Sequence, residues 1–163
     1  MNYRALAECR YEIRRFLNFS EQAARAAGIE PQQHQALLAI KGLPLGLRAT
    51  VGMLAERLQL QHHSTVELID RLEAKGLLLR RRSGADRREV FLRLTGRGER
   101  LLRALSLPHQ AELRSAGPTL LRALKGVIHP GLSEDGPSRR LRRKRAARAG
   151  RGRRKGIAAR RRR

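Results

Sequence analysis

The chain has 163 residues, a net charge of +23 and a single cysteine. One cysteine excludes an intramolecular disulfide and a zinc site built from several cysteines. The N-terminus has no apolar signal core, and no run approaches the roughly 18 apolar residues of a membrane span. The lack of tryptophan and the 3% aromatic content disfavour a protein that stacks single-stranded bases on aromatic rings. We therefore expect a cytoplasmic protein of one domain plus an appendage, with no membrane partner.

The positive charge is concentrated at the C-terminus. Residues 139–163 contain 15 Lys or Arg and no acid, which leaves 22 basic and 14 acidic residues, a net charge of +8, in residues 1–138. Such a field attracts polyanions, nucleic acid first and anionic membrane second. Residues 129–163 are rich in Arg, Gly and Ala and have too few large apolar residues to offset the chain entropy. We predict that they form a disordered Arg-rich tail.

The first predicted element is a long amphipathic helix. Apolar residues recur at three- and four-residue steps from Leu6 to Ala27, and Gly28 marks the end. Such a stripe is typical of a core or a dimer interface. Pro31 opens a second helix, which the glycine- and proline-containing segment 42–46 ends.

Two shorter helices follow, with a tight turn between them. Thr50 suits the N-cap of a helix that runs through Leu58. A further helix is predicted from about His62 to Lys75, with Gly76 as its stop. Helices joined by so short a turn form a helix-turn-helix, although many helical hairpins with this pattern bind nothing.

A β-hairpin is predicted directly after these helices. Residues 77–82 and 90–94 read as strands, because apolar side chains alternate along the second, and residues 83–86 read as the turn. A helix-turn-helix followed by an arginine-rich hairpin has the element order of a winged helix.

The remaining predicted elements are two helices. Thr95 suits the N-cap of a helix over about residues 97–107, which is expected to bend at Pro108 and continue to Ser115. A glycine–proline pair then opens a separate short helix over residues 119–128.

Two segments resemble the MarR family of transcription regulators. Residues 86–98, DRREVFLRLTGRG, are similar to the family's wing, in which Asp-x-Arg precedes an apolar strand, Leu-Thr and a glycine-containing helix start. Residues 68–77, LIDRLEAKGL, resemble its recognition helix and exit. The resemblance covers roughly residues 4–128 and leaves the tail outside.

The resemblance implies a mainly α fold with a small β-hairpin wing (α+β), a winged helix-turn-helix domain over residues 1–128. Its DNA-binding lobe would span about 31–95, with dimerisation helices at 1–30 and 96–128. It implies a homodimer on double-stranded DNA, usually a repressor that a small phenolic or anionic effector or an oxidant releases, and it implies no cofactor. The short last helix and the arginine tail depart from the family's pattern.

The predicted DNA contacts lie at the start of the recognition helix and in the wing. A helix N-terminus presents free N–H groups to phosphates or base edges, and a guanidinium suits the narrow minor groove. An aspartate two residues before the wing arginine can hold it by a bidentate pair. The predicted contacts are Gln61, His62, His63, Ser64, Thr65, Arg82, Asp86, Arg87 and Arg88. The alternatives are a solvated turn for the wing and a histidine packed against the turn for the helix.

Three further expectations concern neighbouring groups. Arg80 and Arg81 beside the wing are expected to bind phosphates or solvent. Cys9 lies on an apolar stripe, where a lone cysteine is usually a small core residue, although some relatives of the family sense peroxide through a cysteine in their first helix. An effector pocket is expected between the dimerisation helices and the winged domain, near Tyr11, Arg14, Arg15 and His34.

A different class of function stays open. No catalytic set and no metal-ligand spacing stands out among the five histidines, so we expect neither an enzyme nor a metal site. The chain could instead be a nonspecific architectural or RNA-associated polycation that acts through its Arg-rich tail. The patterned helices and the Asp86–Arg88 wing favour a regulator associated with the bacterial nucleoid, to which the tail adds affinity for any DNA.

Overall fold

The computed structural model describes residues 2–82 and 90–129. Within them the elements are α1 Tyr3–Ala26, α2 Pro31–Lys41, α3 Val51–Leu58, α4 His62–Ala74, β1 Leu78–Arg82, β2 Val90–Leu94 and α5 Gly96–Ile128. The predicted fold class, mainly α with a small hairpin, is confirmed. The predicted turn at residues 83–86 and the predicted tail beyond His129 lie outside the described residues.

The helix ends follow the predicted signals. Gly28 has a φ of 78° after α1, a left-handed conformation that glycine adopts without a Cβ penalty. The Thr50 side chain accepts a hydrogen bond from Met53 N at 3.2 Å, which caps α3. Gly76, with a φ of 65°, follows α4. These local signals divide the chain into the helices that build the helix-turn-helix.

The chain divides into two compact units, of which the larger spans Ile13–Gly117. Its core brings together α2, α3, α4 and the hairpin around fully buried aliphatic side chains. The largest of these are Leu37, Leu54, Leu68, Ile69 and Leu72. Burying a leucine or isoleucine contributes about 1.5–3 kcal/mol, so this cluster holds the helix-turn-helix in one geometry.

The hairpin is an antiparallel pair that extends from the core. Its register pairs Leu78 with Leu94 at the core end and Arg82 with Val90 at the other. Leu92 and Leu94 are buried, as the alternating pattern predicts. The other edge of β2 is also held, because Leu92 N donates to the backbone oxygen of Ala49 at 2.8 Å.

The smaller unit, as far as it is described, consists of residues 2–12 and 118–129. Its two helical segments approach closely, since a Cβ added at Gly126 would lie 3.4 Å from the Cβ of Ala5. Cys9 is buried in this unit. That burial favours a core role for the thiol over a sensing role, which needs exposure.

The end of the chain's helical part differs from the prediction. α5 is one helix of 33 residues that continues through both prolines, so the predicted break and the short last helix are wrong. A proline removes one N–H donor from a helix. Next to Pro108, side chains supply donors to the backbone: Ser106 Oγ donates to Leu102 O at 2.7 Å, and His109 Nδ1 to Leu105 O at 2.6 Å.

Candidate nucleic-acid interface

The turn between α3 and α4 is built on a left-handed residue that is not glycine. Gln59 has φ 53° and ψ 42°, a conformation that costs an L-residue about 1–2 kcal/mol. Its N–H donates to Glu56 O at 3.1 Å, and Leu60 N donates to Ala55 O at 2.9 Å. These two bonds close α3 within one turn and let α4 begin at His62.

The start of α4 presents polar side chains to solvent. Gln61, the N-cap, and the next two residues, His62 and His63, are exposed, and Ser64 is half-buried. The first N–H groups of a helix have no partner within it and attract anionic or acceptor groups. The structure thus places four of the predicted contacts on one accessible helix end.

Thr65 does not belong to this exposed group. Its side chain is fully buried, and its Oγ1 donates to the backbone oxygen of Gln61 at 3.0 Å. The prediction that it faces DNA is corrected, because its hydroxyl is already bonded within the first turn of the helix. Thr65 instead fixes the start of α4.

One arginine of β1 joins the hairpin to α4. Arg80 Nη2 lies 2.6 Å from Asp70 Oδ1, and its Nη1 bonds to Glu73 Oε2. Glu73 Oε1 also accepts from the backbone N–H of Arg80 at 2.9 Å. Partial burial opposes the charge, but these hydrogen bonds and the two carboxylates raise the pKa of Arg80 overall. Arg80 is therefore a brace between α4 and the wing, and not the phosphate or solvent contact that was expected.

We expect Arg80→Ala to lower the free energy of unfolding by about 1 kcal/mol, because the charge-assisted bonds are strong but partly solvated. The melting temperature should fall by about 2–4 °C. Arg71→Ala is the matched control, since Arg71 is paired only loosely with Glu67, at 3.9 Å and with both side chains more than half exposed. Equal melting temperatures for the two variants would contradict the brace.

The wing supplies further arginines, of which the structure describes those on the strands. Arg82 is exposed at the end of β1, where the prediction placed it near phosphates. Asp86, Arg87 and Arg88 lie outside the described residues. Their contact with the minor groove therefore stays a prediction.

A contact that sequence analysis missed lies between the segment before α3 and the wing. The guanidinium carbon of Arg48 lies 4.7 Å from the ring centroid of Phe91, a cation–π distance. Only the position of Arg48 two residues before the Thr50 cap hints at it. Together with the Ala49–Leu92 hydrogen bond, this contact ties the hairpin to the start of α3.

The junction between hairpin and α5 is tightly built around Thr95. Its Oγ1 donates to Gly76 O at 2.7 Å and accepts from Gly98 N at 3.0 Å, and its N–H donates to Leu77 O at 3.1 Å. A Cβ added at Gly98 would lie only 2.0 Å from Leu77 O. The Leu-Thr-Gly-x-Gly sequence thus packs the start of α5 directly on the exit from α4.

Residues 27–89, which contain this helix-turn-helix and the start of the wing, match the MarR family model. This winged helix-turn-helix domain belongs to the MarR family. The family consists of DNA-binding transcription regulators that are not enzymes. No protein among those with curated descriptions matches the chain.

Solved structures share the fold of the MarR-family chain. AbsC, a MarR family transcriptional regulator from Streptomyces coelicolor, is 22% identical with a TM-score of 0.60, covering 74% of this chain and 84% of that one. A MarR family protein from Bacillus stearothermophilus is 26% identical with a TM-score of 0.54, covering 91% and 94%. A mutant of MepR from S. aureus, bound to an oligodeoxyribonucleotide, is 18% identical with a TM-score of 0.52, covering 86% and 93%.

The residues predicted to bind an effector have different environments in this MarR-family chain. Tyr11, in the smaller unit, is exposed, and so is Arg14. Arg15 Nη2 lies 3.6 Å from Glu112 Oε1. His34 is buried, with its ring centroid 4.8 Å from that of His109. The predicted pocket stays a prediction, and His34 is packed within an aromatic cluster.

That cluster makes the stability of the MarR-family domain depend on pH. His109 Nε2 lies 2.9 Å from Ser20 Oγ, and its ring meets Phe16 and Phe19 edge-on. Burial, and secondarily the charge of His109, lower the pKa of His34 below its ordinary value. The folded state therefore binds fewer protons than the unfolded state just below pH 6.5.

The domain should accordingly lose stability as pH falls through about 6.5, the unfolded pKa of histidine, with no further loss from this group below the lowered folded pKa. We expect a lower melting temperature at pH 5.5 than at pH 7.5 and a smaller difference in His34→Gln. His63→Gln, which changes an exposed histidine, should leave the difference as in the wild type. An unchanged pH effect in His34→Gln would contradict this assignment.

Two searches of the described part of the MarR-family chain gave no site or span. Over residues 2–82 and 90–129, no helix is long and apolar enough to cross a membrane. Over the same residues, no three or more His, Cys, Asp or Glu side chains are grouped as metal ligands.

Proposed function

We propose that the protein is a homodimeric transcription regulator that binds double-stranded DNA, with the start of α4 in the major groove and Arg88 in the minor groove. One observation carries the proposal. The polar N-terminal end of α4 is exposed on a helix-turn-helix, and Arg80 braces that helix to the arginine-rich hairpin. Helix and wing are therefore presented together, as two-groove recognition requires.

The start of α4 suits contact with base edges. The major groove is about 12 Å wide and admits an α-helix. Amide, hydroxyl and imidazole groups at the helix start can donate to or accept from base edges and phosphates, and we assign this role to Gln61, His62, His63 and Ser64. Arg82 and Arg87 would bind phosphates, while Asp86 would orient Arg88.

Dimerisation is supported by apolar side chains that the single chain leaves exposed. A soluble protein rarely leaves many large apolar side chains uncovered, and a second copy is the usual cover in a symmetric dimer. Those on α1 are Tyr3, Leu6, Tyr11, Ile13 and Leu17, and those on α5 are Leu107, Leu113, Leu121, Leu124 and Ile128. We assign the helices of residues 1–30 and 96–128 to the dimer interface.

The mode of regulation follows from the family. We propose repression at sites that overlap promoters, in the cytoplasm and on the nucleoid, with release by a small phenolic or anionic effector. The dimer would place two winged domains in adjacent major grooves. Half-sites should then lie one helical turn apart, about 10 base pairs centre to centre.

The test compares binding to the protein's own upstream DNA with binding to scrambled DNA of equal length, at two salt concentrations. We expect a preference of about a hundredfold, or 2.7 kcal/mol. Arg88→Ala should weaken binding to the upstream DNA by about 1–2 kcal/mol. Arg114→Ala, at an exposed position of α5, is the matched control and should bind as the wild type does.

A second function is favoured by the 15 basic residues of the segment 139–163. A polycation binds any DNA or RNA by releasing counterions, without reading the sequence. Equal and strongly salt-dependent binding to both DNAs, unchanged in Arg88→Ala, would favour this architectural function over sequence-specific regulation.

A further inference from the structure

An open cleft separates the loop between α2 and α3 from the outer face of β2. Its volume is about 850 Å³, within the range of about 300–1,000 Å³ that is usual for small-molecule sites. Leu43, Leu47 and Phe91 contribute apolar surface to its lining, and Leu47 is 61% exposed. The cleft therefore offers uncovered apolar surface of the size of a ring system.

The same cleft is lined by arginines. Arg48, Arg81 and Arg93 all contribute to it. Among the described residues Arg81 and Arg93 form no salt bridge, and Arg48 lies over the ring of Phe91. The acid in the described lining, Glu99, is already paired with Lys41 at 2.6 Å. The lining thus has an excess of positive charge beside its apolar surface.

We propose that this loop–wing cleft binds a small aromatic carboxylate and that its occupancy weakens DNA binding. The apolar side chains would cover the ring, and the guanidinium groups would bind the carboxylate by charge-assisted hydrogen bonds. Inorganic phosphate would leave the leucines bare, and a neutral hydrocarbon would leave the arginines without a partner. Only the effect on DNA rests on the proposed function.

Occupancy would reach the DNA-binding surface through two short links. The carboxylate would compete with the Phe91 ring for Arg48, the residue next to Ala49, whose backbone oxygen holds Leu92 N at 2.8 Å. It would also add negative charge to the hairpin that carries Arg82. Both changes oppose contact between the wing and phosphates.

The full chain is titrated with 2-naphthoate, whose own fluorescence reports binding without DNA present. We expect saturable binding that Arg81→Gln with Arg93→Gln weakens about tenfold or more, the loss of one or two charge-assisted bonds. The neutral analogue 2-naphthol should bind about tenfold more weakly than 2-naphthoate for the same reason. Arg114→Gln with Arg122→Gln removes the same charge from exposed positions of α5 and should leave the affinity unchanged.

Equal affinity for 2-naphthoate and 2-naphthol, or naphthoate binding that the Arg81 and Arg93 changes leave intact, overturns the site. If that double variant fails to fold, Leu47→Ser tests the apolar wall and should weaken naphthoate binding severalfold. Saturating 2-naphthoate should raise the Kd for upstream DNA in the wild type and not in the Arg81 and Arg93 variant. Naphthoate binding with an unchanged DNA Kd overturns the regulatory part, whereas absence of DNA preference in the naphthoate-free protein contradicts the proposed function alone.

Discussion

Gly98→Ala is expected to lower the free energy of unfolding by about 2–3 kcal/mol, because the added methyl group has no room. Its Cβ would lie 2.0 Å from Leu77 O and 3.0 Å from Leu77 C. Both atoms belong to a backbone that is fixed by the buried Leu77 side chain and by the hydrogen bond from Thr95 N. A backbone cannot move aside as a flexible side chain can, so the start of α5 must shift.

Thermal unfolding followed by circular dichroism measures this loss as a fall in melting temperature of roughly 5–10 °C. Gly96→Ala is the matched control two residues away, where the added Cβ would lie 3.5 Å from the flexible end of Arg100. Alanine favours helix over glycine, so this variant should melt at or slightly above the wild-type temperature. A Gly98→Ala protein as stable as Gly96→Ala would contradict the close packing on Leu77.

Ending the chain after His129 is expected to reduce affinity for scrambled DNA far more than the preference for upstream DNA. The removed residues include the 15 basic residues of 139–163. If about six of them neutralise phosphates, the slope of log K against log salt falls by about five. At low salt the loss should reach about a hundredfold or more, measured by fluorescence anisotropy at several salt concentrations.

A tail in which every arginine is replaced by lysine is the control for charge. It should retain most of the salt dependence, because counterion release depends on charge and not on the shape of the cation. An unchanged affinity and salt slope in the shortened chain would show that the tail does not bind DNA in this way.

Local signals in the sequence were sufficient for most of the fold. The Thr50 cap, the stops at Gly28 and Gly76, and the alternation of Val90–Leu94 each depend on neighbours along the chain. Capping, backbone sterics and strand periodicity act over a few residues. The fold class and the order of elements were therefore predictable.

The errors arose where contacts between distant segments decide the outcome. Thr65 has the side chain of a DNA contact, but its burial depends on how α4 packs. Arg80 resembled its neighbours in sequence, and only the approach of α4 to β1 makes it a brace. Pro108 signals a break, and its local effect is overridden by the rest of α5.

The Arg80 brace has a consequence for how operators can vary. Because Asp70 and Glu73 fix the hairpin to α4, the distance between the two reading elements of one copy is set by folding and not by the DNA. A single copy should therefore tolerate no insertion between its major-groove and minor-groove contacts. Natural variation in operator length would be confined to the spacer between half-sites, where the two copies meet.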